Sequence, residues 1–509
     1  MTEQPAPSPS PLSRPLFSRK GSARGGARRL AVLALVAFAC ATGAALPASA
    51  LETPKGCDVP PEPGHGHTFY IDPEHGSMWN DGSAARPWRT LAEVLAPNNH
   101  MVATRKWREN TQPWTTLPVN PNGPIKPGDT LVLMSGNHGD IDIRQYVNDA
   151  FISVIAGKGQ SPVAGSLYLL ASSHWLFRGI KFQKVKPANT PPRTRVLLVN
   201  LASHGWIGPS DNVIFVDNSI STEDSTAAWT DQDWVDRPYD TAFSTSARCT
   251  TFANNHIYNV RDAVYLAGSD VLVQDNLIER FGNDGIDVTA SNTIVRRNLI
   301  RNGMHTDKDY LHPDGIQGWG TPKNVVIDSN RVINLDHPMQ GIDVFTGHFD
   351  GLRVTNNLVI VVTWNGMTIV GVDNLSIVNN TVLSGNPTYT TWILTGGSKE
   401  DPNPKNVVVR NNIATMLRLG KAECDHNIAQ LALQCGRSDS PAHDPRIDHN
   451  LVDKSILRSI GFDLKDQNFE FRPSPRSTAY KAGSEEDAPP YDITGRKRVA
   501  PYDIGAFAR

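Results

Sequence analysis

Eight times between residues 213 and 414 the chain repeats one short phrase. A few alternating apolar residues lead to a polar residue and an asparagine, and a second apolar stretch begins at once. The phrases are VIFVDNSI (Asn218), TTFANNHI (Asn255), VLVQDNLI (Asn276), TIVRRNLI (Asn298), VVIDSNRV (Asn330), LRVTNNLV (Asn357), LSIVNNTV (Asn380) and VVVRNNIA (Asn412). Successive asparagines lie 37, 21, 22, 32, 27, 23 and 32 residues apart. A base period of 21 to 23 residues with insertions is the mark of stacked coils. FRGIKF, at Phe177 to Phe182, fits the same frame with Gly179 in the asparagine place.

Each unit holds two or three strands of about three to five residues, alternating in polarity as half-buried strands do. The third strand shows as GIDV, GIQG, GIDV and GMTI in four successive units. A unit this short cannot bury its own apolar face, so neighbours must stack by parallel pairing at about 4.8 Å per rung. The 3.6-residue period of a helical repeat and the L-x-x-L-x-L of a leucine-rich repeat are both absent. The expected fold is therefore all-β: a right-handed parallel β-helix, or solenoid. The recurring asparagine suits a turn that tolerates left-handed backbone and stacks its amide coil upon coil, a scaffold role.

The flanks divide the chain further. Arg24, Arg28 and Arg29 precede an apolar run, Leu30 to Leu46, and Ala48-Ser49-Ala50 ends it. That order predicts a secretory signal peptide over residues 1–50, cleaved near Ala50, and a secreted or periplasmic protein. Its removal would leave 43 Lys/Arg against 50 Asp/Glu, a formal charge of −7. An acidic balance argues against a nucleic-acid partner. No later stretch approaches the roughly 20 apolar residues of a membrane span. Residues 51–66 read as a Pro/Gly linker, 67–415 as the β-helix, and 416–509 as C-terminal coils and an irregular cap, with a loop over 416–448. A short capping helix is expected near Thr90 to Leu95. Four cysteines would remain. They permit two disulfides, Cys424–Cys435 across a short loop and Cys57–Cys249 by elimination, or buried free thiols.

Three stretches carry a family resemblance. FYIDPEHGSMWNDGSAARPWRTLAEVL with PGDTLVLMSGNHG opens the chain, the repeats occupy 213 to 412, and RPSPRSTAYKAG with DITGR and DIGAF closes it. Together they resemble the pectate-lyase-like superfamily of secreted β-helix proteins, which act on polysaccharides. The resemblance implies the fold and suggests a carbohydrate substrate. Many chemistries share this scaffold.

Aligned on the third-strand glycine, the coils read RDAVYLA, NDGIDVT, PDGIQGW, MQGIDVF and WNGMTIV. If Ile286, Ile316, Ile342 and Met367 point inward, alternation sends the next residue of each coil outward. The outward column is Tyr265, Asp287, Gln317, Asp343 and Thr368. One residue before the glycine runs a second column: Asp262, Asp284, Asp314, Gln340 and Asn365. Carboxylates stacked at rung spacing repel one another, which suits general acid–base chemistry or Ca2+ binding. Asp284, Asp287 and Asp314 are the expected Ca2+ ligands, and Asp262 reads as a turn residue. The coil from Asn298 to Asn330 is ten residues longer than the base period, and the excess falls at GMHTDKDYLHP. A long loop on a rigid coil is a usual seat of catalysis.

The expected catalytic residues are His312, Asp314, Asp284, Tyr310 and Lys308. Substrate binding is expected from Asp287, Gln317, Gln340, Asp343, Trp319 and His337. The reading placed first is a monomeric lyase. It would take the C5 proton of a uronate in an acidic polysaccharide, with His312, Tyr310 or Lys308 as base, and eliminate. A C5-epimerase would share that first step. YLHPD, from Tyr310, vaguely resembles the Asp-Pro-His-Asp motif of mannuronan epimerases in a different order. A glycoside hydrolase using the clustered aspartates comes second, and a glycan-binding β-helix third.

Overall fold

An asparagine buried in a turn must satisfy three polar groups, and here the coils satisfy them for one another. In the computed structural model, which describes residues 52–60, 65–186, 189–237, 240–306, 312–436, 449–465 and 469–509, the backbone N–H of each ladder asparagine donates to the side-chain oxygen of the next. The Asn276 N–H reaches Asn298 Oδ1 at 3.0 Å, and Asn298 N–H reaches Asn330 Oδ1 at 3.0 Å. Each side-chain amide donates to the same oxygen and to a carbonyl of the preceding coil, as Asn298 Nδ2 does to Val273 O at 3.0 Å. The residue before each ladder asparagine is left-handed, for example Asp275 at φ 57° and Arg297 at φ 54°.

The ladder is longer than the repeats suggest. Asn412 bonds onward to Asn427, and Asn427 to Asn450. Strands Glu423–Asp425 and Ile428–Gln434 therefore add a coil where a loop was expected over 416–448. At the other end, strand pairing sets Phe177 beside Phe215 and Lys181 beside Ser219. That register puts Ile180, not Gly179, in the asparagine place, and its N–H donates to Asn218 Oδ1. Gly179 occupies the left-handed position at φ 75°.

Parallel strands stack on either side of this ladder. One sheet takes the strand before each asparagine, from Thr68–Ile71 through Val271–Gln274 and Thr293–Arg296 to Glu423–Asp425. A second, continuous sheet system takes the two strands after it, such as Leu277–Phe281 and Ile286–Val288. This is a right-handed parallel β-helix. Its interior is a column of apolar side chains, among them Ile286, Ile316, Ile342 and Met367, all buried as alternation predicts. A short antiparallel hairpin, Thr104–Trp107 with Thr116–Val119, decorates the N-terminal part.

The ends are closed as expected. Helix Leu91–Leu95 buries Leu91, Val94 and Leu95 and is capped by Thr90, whose hydroxyl accepts the Glu93 N–H. The C-terminal segment packs Phe471, Ile493, Ile504 and Phe507 against Leu358, Ile360, Leu383 and Ile413 of the coils. Buried Arg498 ties it down, donating to Asn356 Oδ1 and to the Gly505 carbonyl. Within the segment read as a linker, residues 52–60 lie on the coils. Asp58 N–H donates to Asn212 Oδ1, and a disulfide joins Cys57 to Cys249. A second disulfide joins Cys424 to Cys435. No helix among the described residues is long and apolar enough to cross a membrane. The expected signal peptide, residues 1–50, lies outside the described residues.

Candidate functional site

From Thr241–Thr245 to Asn365–Val370 the third strands of successive coils pair without slippage, and this fixes the site. Ser244 pairs with Tyr265, Tyr265 with Asp287, Asp287 with Gln317, Gln317 with Asp343 and Asp343 with Thr368. In the second column Thr241 pairs with Asp262 and Asp314 with Gln340. The two columns are those expected from the repeat register, extended one coil upstream by Thr241 and Ser244.

Although their strand positions face away from the core, these carboxylates are covered. Asp314 and Asp343 are fully buried, and Asp284 is nearly so. Hydrogen bonds hold some of their oxygens and leave others bare. Asp284 Oδ1 accepts the Asp314 N–H at 3.1 Å. Asn283 Nδ2 donates to both Asp284 and Asp262, at 2.7 and 2.8 Å, and Thr241 Oγ1 donates to Asp262. Gln317 Nε2 donates to Asp314 Oδ2 at 2.7 Å, and Thr368 N–H to Asp343 Oδ1 at 2.8 Å. Asp287 Oδ1, Asp314 Oδ1 and Asp343 Oδ2 are buried and accept from no N–H or hydroxyl, while the Asp314 and Asp343 carboxyls lie within hydrogen-bonding reach of each other.

Burial and mutual repulsion push Asp284, Asp287, Asp314 and Asp343 upward. Asp284 is raised to about 9 by desolvation and by the charges of Asp287, Asp314 and Asp262. Asp287 is raised to about 7 by desolvation and Asp262, against a lowering hydrogen bond from Trp319. Desolvation raises Asp314, opposed by His312 and Gln317, and raises Asp343 well above its ordinary value, reinforced by Asp314. The acids titrate as a group.

His312 sits at the mouth of this cluster. Its ring is mostly exposed, and Nδ1 lies 3.3 Å from Asp314 Oδ2. The Asp314 carboxylate raises its pKa to about 9. Two other expected catalytic residues, Lys308 and Tyr310, lie outside the described residues. Trp319 is partly exposed, its ring 6.1 Å from that of Tyr265. Gln340 belongs to a neutral network: it accepts from Asn365 at 2.6 Å, Asn365 accepts from the Thr368 hydroxyl, and Trp392 Nε1 donates to Thr368. His337 is half-buried, and its carbonyl accepts from Asn334. No polar contact among the described residues ties its ring to the carboxylates.

A cavity of about 410 Å³ opens beside Asp287, lined by Arg195, Leu197, Thr241, Ser244, Asp262 and Tyr265. Asp262, expected in a turn, begins strand Asp262–Leu266 and lines this cavity. Thr241, Ser244 and Arg195 were not foreseen. Their coils lack the Asp-Gly-Ile signature, so only the strand register places Thr241 and Ser244 beside the cluster, and Arg195 reaches it from the segment before Leu197–Ala202.

A family model described as a right-handed β-helix region matches residues 242–414. A search of curated proteins finds no match. Among solved structures, the chain is similar to a complex of XylC with xylose, at 10% identity and TM-score 0.50, over 86% of this chain and 98% of that one. It is also similar to the pectate lyase Pel9A, at 14% identity and TM-score 0.45, over 87% and 96%. A third likeness is to the alginate lyase AlyGC, at 13% identity and TM-score 0.35, over 64% and 54%. The matched region and the stacked parallel strands make the chain a right-handed parallel β-helix protein.

Proposed function

We propose that this protein is an exported polysaccharide lyase that cleaves a uronate-containing glycan by β-elimination. The observation that supports it best is His312 held 3.3 Å from a buried carboxylate, at the edge of an acid cluster with bare oxygens. Elimination needs a base for the C5 proton and a way to offset the charge that builds on the substrate carboxyl group. His312 is the base in this reading, with Lys308 and Tyr310 as the alternatives from the same loop. Trp319 and Tyr265 offer rings for a sugar face. The two disulfides suit an oxidising compartment.

An anionic glycan would be repelled by the cluster alone. The donor set is all hard oxygen and includes the unpartnered Asp287 Oδ1 and Asp314 Oδ1, which fits Ca2+. Asp284, Asp287 and Asp314 would hold it, with Asp262 beside them. Bound there, Ca2+ would offset the uronate charge.

A specific observation favours glycoside hydrolysis as the second reading. Asp284, raised to about 9, and Asp287, raised to about 7, keep a protonated carboxyl available near neutral pH, as a general acid requires.

Incubation with a panel of acidic polysaccharides, with and without chelator, separates the readings. A lyase yields an unsaturated uronate absorbing in the ultraviolet. Its rate climbs with pH toward about 9 as His312 loses its proton, and both the signal and the rate disappear in His312→Ala. A hydrolase yields reducing ends without that absorbance, and its rate falls as pH rises. Altered composition without chain cleavage would indicate epimerisation, and retention without reaction would indicate binding. Near-normal ultraviolet turnover in a folded His312→Ala protein removes His312 from the mechanism.

A further inference from the structure

Two histidines occupy places where the ladder elsewhere uses other residues. The left-handed residue before the ladder asparagine is Asp217, Asn254, Asp275, Arg297, Ser329, Asn356, Asn379 and Asn411 in the first eight coils. In the last two it is His426 and His449, at φ 50° and 72°. Asparagine adopts this backbone more readily than histidine, so local conformation alone gives no reason for the change.

The ladder brings the two rings face to face, 4.4 Å between centroids and 22° from parallel. Asp425 precedes His426 and lies against both. Its Oδ2 is 2.6 Å from His426 Nδ1, and its Oδ1 is 3.3 Å from His449 Nδ1. His426 Nδ1 is nonetheless buried without a properly aligned hydrogen bond. One ligand atom from each of the three residues falls within 4.8 Å of the others.

The surroundings favour a cation. Of the nearby positive charges, Lys481 lines the adjoining cavity, and Arg410, its Nε 3.8 Å from Asp425 Oδ2, is engaged by Glu423, Glu486 and Asp487 as well. Four carboxylates thus face one guanidinium. A cavity of about 560 Å³ opens beside the histidines, between the last coils and cap residues Thr478, Lys481 and Gly483. An ion there would have room for water or an added ligand.

We infer that Asp425, His426 and His449 form a binding site for a divalent first-row transition ion, matched best by Zn2+. Two imidazole nitrogens and one carboxylate are a borderline donor set, softer than the all-oxygen set of the acid cluster, and they leave a coordination position open. The ion would bridge two successive coils beside the Cys424–Cys435 disulfide and the cap.

Another triad, His348, Asp373 and Asp401, offers a weaker set. It has a single imidazole, whose two nitrogens face different carboxylates, Nε2 at 3.7 Å from Asp373 and Nδ1 at 3.5 Å from Asp401.

The test is titration of the untagged mature protein with Zn2+ by calorimetry, with X-ray absorption on the loaded sample. The control variant comes from the protein's own ladder: His426→Asn with His449→Asn restores the residue that other coils carry, so the fold is kept, as circular dichroism would confirm. The expected result is one Zn2+ per chain with imidazole scattering, a raised Tm on loading, and an affinity loss of at least about 100-fold in the double variant. Unchanged affinity in that variant, loss of binding in His348→Asn instead, or no binding by the native chain would each overturn the assignment.

Discussion

An asparagine ladder and a pair of acid columns run along this β-helix, and the two features differ in how completely they are satisfied. In the asparagine ladder, every buried amide from Asn218 to Asn427 gives and accepts hydrogen bonds within the column and to strand carbonyls. In the two acid columns, Asp287, Asp314 and Asp343 each keep a buried oxygen that no N–H or hydroxyl satisfies. An unmet buried polar group costs about 1–3 kcal/mol, and more when charged. The ladder is therefore scaffold. The acid columns carry a standing cost that packing does not explain, and such costs concentrate where chemistry occurs.

The comparison predicts opposite responses to the loss of one side chain. Asp314→Asn removes the carboxylate beside His312 and should lower turnover by up to about 10²- to 10⁴-fold, the range for losing a positioned acid–base group, while Tm holds or rises. A parallel fall in Tm would show that Asp314 is scaffold after all. Asn298→Ala should do the reverse. It strips the acceptor from Asn276 N–H and Nδ2 and the donor from Val273 O. Stability should fall by about 3 kcal/mol in chemical denaturation, with turnover per folded molecule unchanged.

The two features were also unequally legible in the sequence. The ladder could be read directly, because a short repeat and a fixed residue determine a coil. The acid columns followed from it, since strand alternation carries side chains to a known face once the register is fixed. Asp287, Gln317, Asp343 and Thr368 fall in the expected file. Burial was not legible. Nothing within GIDV distinguishes Asp343, which is fully buried, from Asp287, which borders a cavity. That depends on what other segments lay over the sheet. The same limit hid Arg195 and Ser244, and it hid His426 and His449, whose meeting needs a coil that the spacing of the earlier repeats does not announce.

A third prediction concerns pH. Asp287 rises from 3.8 toward about 7 on folding. Between those values the native state holds more protons than the unfolded chain, so this group's contribution to stability is present below about pH 4. It is lost as pH climbs through 7 and is constant above. Asp287→Asn removes that dependence. The variant should match the native protein near pH 4 and exceed it at pH 8 by on the order of 2 kcal/mol, discounted for coupling within the cluster. An equal Tm at both pH values would mean that the cluster does not strain the fold.

The smallest effect tests what separates Asp287 from its fully buried neighbours. A hydrogen bond from Trp319 lowers its pKa against burial and the charge of Asp262. Trp319→Phe keeps an aromatic face beside Tyr265 but removes the indole N–H. Asp287 should then hold its proton to higher pH, and the pH at which stability stops falling should move up by less than about one unit, roughly 1 kcal/mol. If the titration of Asp287 stays in place, its ionisation is governed by the cavity and Asp262 rather than by Trp319. The acid columns would then be graded by solvent access and mutual repulsion.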